Sequence, residues 1–591
     1  MRTQSSNIQA ANQAGEAGKR FLLPLSCLVI AAILLSAIFS AGIAQPQSIY
    51  PDWKNLGITW RVSVASDGTE GSSYVSQENA LSADGRYVVF SSMAWDLVPG
   101  DVRDGGHQDI FLHDNLTETT ERISVSSSGE AGNQDSYYGV DISADGRYVV
   151  FTTKSSNLVS GDTNDKWDIF LRDRQESTTK RVSISSSGDQ ANENSWLPHI
   201  SEDGNLIVYT SLATNLVPGD TNGKWDIFAY NRLSGQTERI SVSSAEVQAN
   251  NNSGDNKAPA VSADGRFVTF SSDATNLVTP DENNVCDMDG NGTYTENCSD
   301  VFVRDRTNGT TEMVSVNSDE EQGNNFSMLS VISNDGRYVA FYSAASNLVE
   351  EDTNTCLTIF YNSGPCPDVF VRDRQEGTTE RVSVSSTGTQ TTVDPIDYFK
   401  PPAISGDGRI VVFTSSDTTL AAGATNGYTQ ILAHDRTTHE TTLVSASTYR
   451  WQGNSWSHCP PDISTTGRYV SFHSLASDLV TDDGNGFSDL FVRDREGWTY
   501  AMDGTVRDEG GNPVAGVWVG YGTGVGEWKE TDTNGEYQLY YMPEGTYAIY
   551  TMQQGYTSDP PVNYVTLPPT TIGVDFMLVP AKLVYLPCLS K

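Results

Sequence analysis

The sequence predicts an all-β chain assembled from one repeated four-stranded unit, and three of its features point there. The first is the stretch from Val140 to Arg181, VDISADGRYVVFTTKSSNLVSGDTNDKWDIFLRDRQESTTKR, variants of which recur to about residue 495. The second is an Asp-Gly turn at Asp84, Asp145, Asp203, Asp264, Asp335 and Asp407, with Thr466-Gly467 as a degenerate seventh. The third is a run like Arg-Val-Ser-Val that opens at Arg61, Arg122, Arg181, Arg239, Met313, Arg381 and Leu443. A fixed period of this length marks units that bury their faces only against neighbouring copies.

Within one copy, strands are expected at Val140–Ser143, Arg147–Thr153, Asp168–Arg172 and Arg181–Ile184, separated by turn residues. Tyr148 to Phe151 is continuously apolar, which suits a strand buried on both faces between stacked sheets. The fourth run alternates, placing Val182 and Ile184 on one face and Arg181 and Ser183 on the other, as an outer strand touching solvent would. The Asp-Gly landmarks are spaced 61, 58, 61, 71, 72 and 59 residues apart. The two long steps contain close cysteine pairs, so units four and five are expected to carry insertions. The seventh copy supplies three strands, ending at Asp489–Arg493, and no fourth follows it before Trp498. A fourth-type strand, Trp60–Val64, instead precedes every first strand. The chain start therefore completes the last sheet, and the ring has no free edge. The expectation is a seven-bladed β-propeller over residues 57–497, closed by an N-terminal strand.

Hydrophobic content of 37% and aromatic content of 10% fit a globular all-β protein. Acidic residues outnumber basic ones 75 to 37, and the net charge of −38 repels nucleic acid and anionic lipid while favouring cations such as calcium. Residues 1–44 read as a signal peptide or an N-terminal membrane anchor. Lys19 and Arg20 precede an apolar run from Phe21 to Phe39, and Gly42-Ile43-Ala44 offers a cleavage site before Gln45. The run approaches the ~20 residues that span a bilayer, so both readings stay open. Each delivers the body to a secreted or extracytoplasmic cell-surface location, with membrane contact only through that segment if it is uncleaved. Pro24-Leu25-Ser26 before Cys27 is a poor lipidation box. Cys286 with Cys298, and Cys356 with Cys366, read as disulfides closing short loops, each contributing up to ~3 kcal/mol. Zinc would need more soft ligands nearby. Cys459 and Cys588 are either free or paired with each other.

ISADGRYVVF followed by SNLVSGDTNDKWDIFLRDR resembles the TolB-type, WD-like propeller repeat of bacterial exported proteins, over residues 57–495. That resemblance implies a fold and leaves the activity open. After Trp498 come MDGTVRDEGGNPVAGVWVGYG, TDTNGEYQLYYMPEGTYAIY and GVDFMLVP, short strands joined by Gly-, Asn- and Pro-rich turns. Asn534-Gly535 is a hairpin signal. Together these segments resemble the carboxypeptidase regulatory-like domain, a small transthyretin-like β-sandwich, over residues 502–579. The resemblance implies a surface or assembly module without catalysis. The short tail 580–591 has no assignment.

Candidate calcium ligands lie in the loop before the third strand: Asp162, Asn164 and Asp168; Asp220, Asn222 and Asp226; Asp483, Asn485 and Asp489. Oxygen ligands at this spacing beside a tight turn are what calcium loops use, although Asp and Asn also cap their own turns. Unit six has Ala424, Asn426 and Gln430 there, so the feature is not required of every unit. A second candidate sits inside the first cysteine pair, where Asp287, Asp289, Asn291 and Gly292 match the start of an EF-hand loop. Its twelfth place is Cys298, with Glu296 and Asp300 near. A solvated acidic turn is the plainer alternative.

Tyr137, Tyr138, Trp196, Tyr398, Phe399, Trp451 and Trp456 fall in loops between a fourth strand and the next first strand. Propellers gather those loops on one face, where rings either stack on sugars and peptide side chains or plug gaps between sheets. No G-x-S-x-G elbow and no H-E-x-x-H occurs, and Ser82-Ala83-Asp84-Gly85-Arg86 lacks the closing aromatic of a sialidase Asp-box. The function expected is a non-catalytic binding or scaffold protein, a monomer whose propeller face meets a protein or glycan. An extracellular glycan-active hydrolase or lyase, with carboxylates at the channel mouth, is the alternative.

Overall fold

The computed structural model describes residues 57–100, 106–281, 285–286, 295–296, 298–358, 361–391, 393, 400–448, 451–481 and 483–496, and parts of 502–580. The chain divides into two compact units, Met1–Trp53 and Lys54–Lys591, and the first, with the expected signal or anchor, lies outside the described residues. The described residues form strands and no helix, so no helix among them is long and apolar enough to cross a membrane.

Between residues 58 and 494 the described strands form seven four-stranded antiparallel sheets. The second has the order Val140–Ile142, Tyr148–Thr153, Asp168–Asp173, Thr178–Arg181. Tyr148–Thr153 is buried along its whole length, as its apolar run requires. The last sheet takes Ser457–Ile463, Tyr469–Ser474 and Asp489–Asp494 from the chain's later part and Ile58–Arg61 from its start. Ile58 lies opposite Asp494 and Arg61 opposite Phe491.

The fourth strands end where the sequence reading has them begin. Thr178–Arg181 closes at the landmark arginine, as do the equivalents ending at Arg61, Arg122, Arg239, Met313, Arg381 and Leu443. Ser183, assigned to a solvent face, is fully buried, and Arg181 is nearly so. The reason is local. Beyond Arg181 the chain makes one more bond, Val182 N–H to Ile169 O at 2.8 Å. Ser183 then turns inward, donating its hydroxyl to Asp168 at 2.5 Å and accepting the Ile169 N–H at 3.1 Å. A side-chain bridge replaces the ladder, so the polar half of the alternation is interior.

Adjacent sheets are joined three ways. Each apolar cluster draws on two sequential sheets, and one of them, with Val62, Leu490 and Val492 against Phe90 and Phe111, joins the last sheet to the first. Backbone bonds link the turns at the inner edges: Ala83 N–H to Ala144 O, Ala144 to Glu202, Asp203 to Ala263, Ala263 to Asn334, Asn334 to Gly406, Gly406 to Thr465, and Thr465 back to Ala83. Their lengths run from 2.9 to 3.4 Å. Each turn glycine also lies against the preceding sheet: Gly146 has φ +71°, and a Cβ there would collide with the Tyr87 ring. The arginine after it, Arg147, lies 4.8 Å over Tyr148 while Arg232 of the third sheet covers the same ring at 4.1 Å, each contact contributing ~0.5–1 kcal/mol.

Two short strand pairs, Val285–Cys286 with Thr295–Glu296 and Thr355–Thr358 with Tyr361–Pro365, stand between the second and third strands of the fourth and fifth sheets. These are the insertions expected from the long spacings. Beyond residue 502 two further four-stranded sheets form. Met502–Asp508 lies between Glu536–Leu539 and Phe576–Pro580 in one, and Trp518–Tyr521 between Trp528–Glu530 and Gly545–Met552 in the other. Asp532–Gly535 does turn tightly, with Gly535 at φ +72°, but it is not a hairpin. The strands it joins belong to different sheets, because Glu536–Leu539 pairs with Met502–Asp508 instead.

In the last sheet Ser63 repeats the bridge of Ser183, donating to Asp489 at 2.6 Å and accepting the Leu490 N–H at 3.1 Å. Removing either hydroxyl leaves a buried carboxylate and N–H short of a partner, at ~1–3 kcal/mol. Ser63→Ala is therefore expected to lower the denaturation midpoint as much as Ser183→Ala does. A Ser63→Ala protein melting like the wild type would show that the first strand is dispensable.

Candidate binding face

The three acidic loops do bring their expected residues together, but around an arginine. Arg181 Nη1 lies 3.1 Å from Asp162 and 3.7 Å from Asp168, while Asn164 donates its amide to Asp168 at 2.8 Å. Arg239 stands 3.3 and 3.7 Å from Asp220 and Asp226, with Asn222 on Asp226 at 2.8 Å. Arg61 stands 3.7 and 3.6 Å from Asp483 and Asp489, and Asn485 donates to Asp489 at 3.2 Å. A guanidinium thus stands between the carboxylates that the sequence offers as calcium ligands. The signal for it lies in the sequence, since an arginine opens every Arg-Val-Ser-Val-like run except those at Met313 and Leu443. In the sixth sheet Leu443 replaces the arginine, Gln430 replaces the aspartate, and Ser445 donates to its carbonyl at 2.6 Å, whereas the fourth sheet keeps Asp300 with Met313 and meets it with the Gln322 amide at 3.0 Å.

Asp287, Asp289 and Asn291 lie outside the described residues, and Glu296 is placed only as the end of a short strand. Among the described residues no group of three or more His, Cys, Asp or Glu side chains is placed to hold a metal ion.

The aromatic residues divide differently. Tyr398 and Phe399 lie outside the described residues, and Trp451 stands well exposed on the loop before the last sheet. Trp456 meets Tyr428 edge-on at 6.0 Å. Tyr137, Tyr138 and Trp196 belong to a larger group with Trp167 and Trp225. Ring centroids are 4.1 Å apart for Tyr137–Tyr138, 4.9 Å for Tyr137–Trp167, 5.2 Å for Tyr138–Trp167, 5.3 Å for Tyr138–Trp196 and 4.7 Å for Trp196–Trp225. The last pair is stacked, at 13° between planes. In an antiparallel sheet the first and third strands start at the same edge, so loops entering either can share a surface. Trp167 and Trp225 directly precede their third strands and escape a search confined to the other set of loops. Each is fixed by its backbone N–H, donated to Asn194 at 3.1 Å and to Asn252 at 3.2 Å. Burial and a hydrogen bond to Tyr138 push the Tyr137 hydroxyl's pKa upward.

Close by, the first strands carry ionisable groups that the sequence pattern does not single out. Asp141 accepts the Ile200 N–H at 2.7 Å and has His199 Nδ1 at 3.4 Å. Asp462 accepts the Leu81 N–H at 2.6 Å, so each carboxylate ties one sheet to the next. Burial, with the Asp141 charge adding to it, pushes Asp462 up to about 6. Burial likewise raises Asp141 and Glu78, the latter against the opposing charge of Lys400. The remaining sheets have Ala80, Ala260, Val331 and Ala403 where these have Asp141, His199 and Asp462. The polar sector therefore spans the last, second and third sheets.

No family model matches the chain, and no curated protein does. Solved structures do. TolB from Acinetobacter baumannii is similar at 14% identity over 56% of this chain, with a TM-score of 0.31, and the chain spans 58% of its length. Oligogalacturonate lyase from Vibrio parahaemolyticus is similar at 12% identity over 74% of this chain and 93% of that one, with a TM-score of 0.41. An oligogalacturonate lyase in complex with manganese is similar at 12% identity over 74% and 96%, with a TM-score of 0.42. Likeness at this level concerns the fold alone.

The buried carboxylates give stability a signed pH dependence. Asp462 holds its proton up to about 6 when folded, against an ordinary 3.8, so its contribution is full below about pH 3.8 and is lost as pH rises through about 6. Asp305 behaves oppositely: Arg266 holds it at about 2, so its contribution is present above about pH 3.8 and lost as pH falls through about 2. Asp462→Asn is expected to gain on the wild type between pH 4 and pH 7 in thermal midpoint, and Asp305→Asn to lose most at the upper end. A midpoint difference for Asp462→Asn that stays flat across that interval would count against the burial of its charge.

Proposed function

We propose that this chain is an exported, non-catalytic binding or scaffold protein. In this reading its seven sheets are the blades of one closed β-propeller, and the loop edge of the second and third blades receives a protein or glycan partner at the cell surface. The observation that carries it is the five-ring group of Tyr137, Tyr138, Trp167, Trp196 and Trp225. A contiguous aromatic surface at a loop edge offers large apolar area with polar tips, the composition of recognition sites rather than of cores. The apolar run before residue 45 supports export, and the pairs Cys286–Cys298 and Cys356–Cys366, as disulfides, suit an oxidising compartment. Residues 502–579 serve as a carboxypeptidase regulatory-like docking module, and the protein works as a monomer.

A glycan-active hydrolase or lyase is the second reading. Asp141 and Asp462, raised carboxylates facing one another's field on the inner strands, favour it. Calcium, in this reading, is held by the stapled loop with Asp287, Asp289, Asn291 and Glu296 and by the acidic loops before the third strands, with Asp162, Asp220 and Asp483.

Co-sedimentation with cell-surface material tests the first reading. The wild type is expected to pellet, and a Trp167→Ala, Trp196→Ala, Trp225→Ala variant to stay in solution. Incubation with polysaccharides separates the readings, since a binding protein leaves chain length unchanged and an enzyme shortens it unless Asp462 is replaced by Asn. For calcium, a chelator is expected to lower the melting midpoint, by an amount equivalent to ~2.7 kcal/mol if the ion stands at a hundred times its dissociation constant. An unchanged midpoint removes calcium from the account.

A further inference from the structure

We infer that the aromatic shelf of the second and third sheets recognises an uncharged glycan chain, an inference that rests on the binding reading above. Comparison of the repeats with one another carries it. The residue just before the third strand is Gln108, Trp167, Trp225, Ser299, Pro367, Thr429 and Ser488 in the seven sheets. Tryptophan occupies that place only in two adjacent sheets, where Tyr138 meets Trp167 from the loop entering the second sheet and Trp196 meets Trp225 from the first strand of the third, Ser195–Ile200. The buried bridges and turn glycines recur around the ring, whereas this surface does not. A scaffold position has no reason to take the largest side chain in two neighbours alone.

The chemistry around the rings selects the ligand. Pyranose rings present flat C–H faces that stack on aromatic rings, and hydroxyls that pair with planar amides and carboxylates. Here rings rather than aliphatic chains make the shelf, with Asn194 and Asn252 beneath the tryptophan loops and Asp135 and Glu193 beside them. A strand-adding or helical peptide would need an open sheet edge or an apolar groove, and a proline-rich one, which also docks on aromatic rings, is the outcome that the protease arm of the test separates. Charge points to the class of sugar. Lys166 is paired with Glu193 at 2.8 Å and His107 faces Asp135 at 3.4 Å, and in a chain of net charge −38 Lys224 beside Trp225 does not by itself make a cationic cleft for a polyuronate.

Titration of the full chain, followed by tryptophan fluorescence, tests this with neutral hexasaccharides of β-1,4-linked glucose, mannose and N-acetylglucosamine, and with polygalacturonate as the anionic arm. At least one neutral hexasaccharide is expected to bind. Trp196→Ala and Trp225→Ala are each expected to weaken it ~10-fold. Trp196→Phe, which keeps a ring, should stay within ~3-fold, and Trp95→Ala, an exposed ring outside the shelf, should leave binding unchanged. No saturation by any neutral hexasaccharide up to about 1 mM overturns the inference, as does tighter binding of polygalacturonate or binding indifferent to all three shelf substitutions. Failure here is distinguishable from failure of the binding reading. If the triple variant still loses co-sedimentation, and protease treatment of the surface material abolishes it while periodate does not, the face stands and its ligand is a protein.

Discussion

One backbone hydrogen bond between neighbouring inner turns, repeated until it returns to its own beginning at Thr465 and Ala83, is the constraint on which the remaining geometry depends. A single such bond contributes only ~0.5–1.5 kcal/mol, and an open stack held this way would end in two exposed sheet faces. Returning to the start changes the accounting, because the last sheet finds an apolar partner in the first through Val62, Leu490 and Phe90. Each first strand is then held at a set distance from its neighbours. Asp141 can accept a backbone N–H from the third sheet, and Asp462 one from the first, only because that distance is fixed.

Inside this frame, polar residues divide into two populations. One is repeated: serine, aspartate, asparagine and arginine meet in sheet after sheet, where the serine and asparagine hydrogen-bond the aspartate and the arginine approaches it at ion-pair distance. Losing one member calls for a replacement, and the chain uses two: Gln430 stands for the aspartate where Leu443 takes the arginine's place, and the Gln322 amide meets Asp300 where Met313 does. The other population breaks the repeat. Asp141 and His199 on the inner strands share the second and third sheets with the tryptophans, Asp462 stands on the last sheet, with Ala80 of the first between, and all differ from what the other copies carry at the same places.

Much of this was legible in the residues. The spacing of Asp-Gly turns marks the units, the apolar run at Tyr148–Phe151 marks a doubly buried strand, and the two stretched spacings mark insertions. The last sheet's shortage of one strand is visible as well. What was hidden has physical causes. Alternation at Arg181–Ile184 mimics an amphipathic outer strand, but its polar members are interior because Ser183 and Arg181 answer Asp168 and Asp162 from the third-strand loop. Acid-rich loops look the same whether they enclose a cation from solution or a guanidinium from elsewhere in the chain, a short way on for Arg181 and at the opposite end of the domain for Arg61. Trp167 and Trp225 sit inside those loops, masked by the acidic pattern around them. Pairwise contact between residues of separate repeats is not a property of any one stretch.

The union of Ile58–Arg61 with Asp489–Asp494 also bears on how the protein is made. More than four hundred residues separate the partners, so the earliest strand emerges long before its place exists. Sheets one to six can assemble as they appear, each against its predecessor, but the seventh keeps a bare edge until the two ends of the domain meet. Such late, distant pairing is slow to form and leaves the incomplete molecule open to exchange of that strand with a sister chain at high concentration. Synthesis of the whole domain must therefore be finished before the polypeptide acquires its full resistance to unfolding.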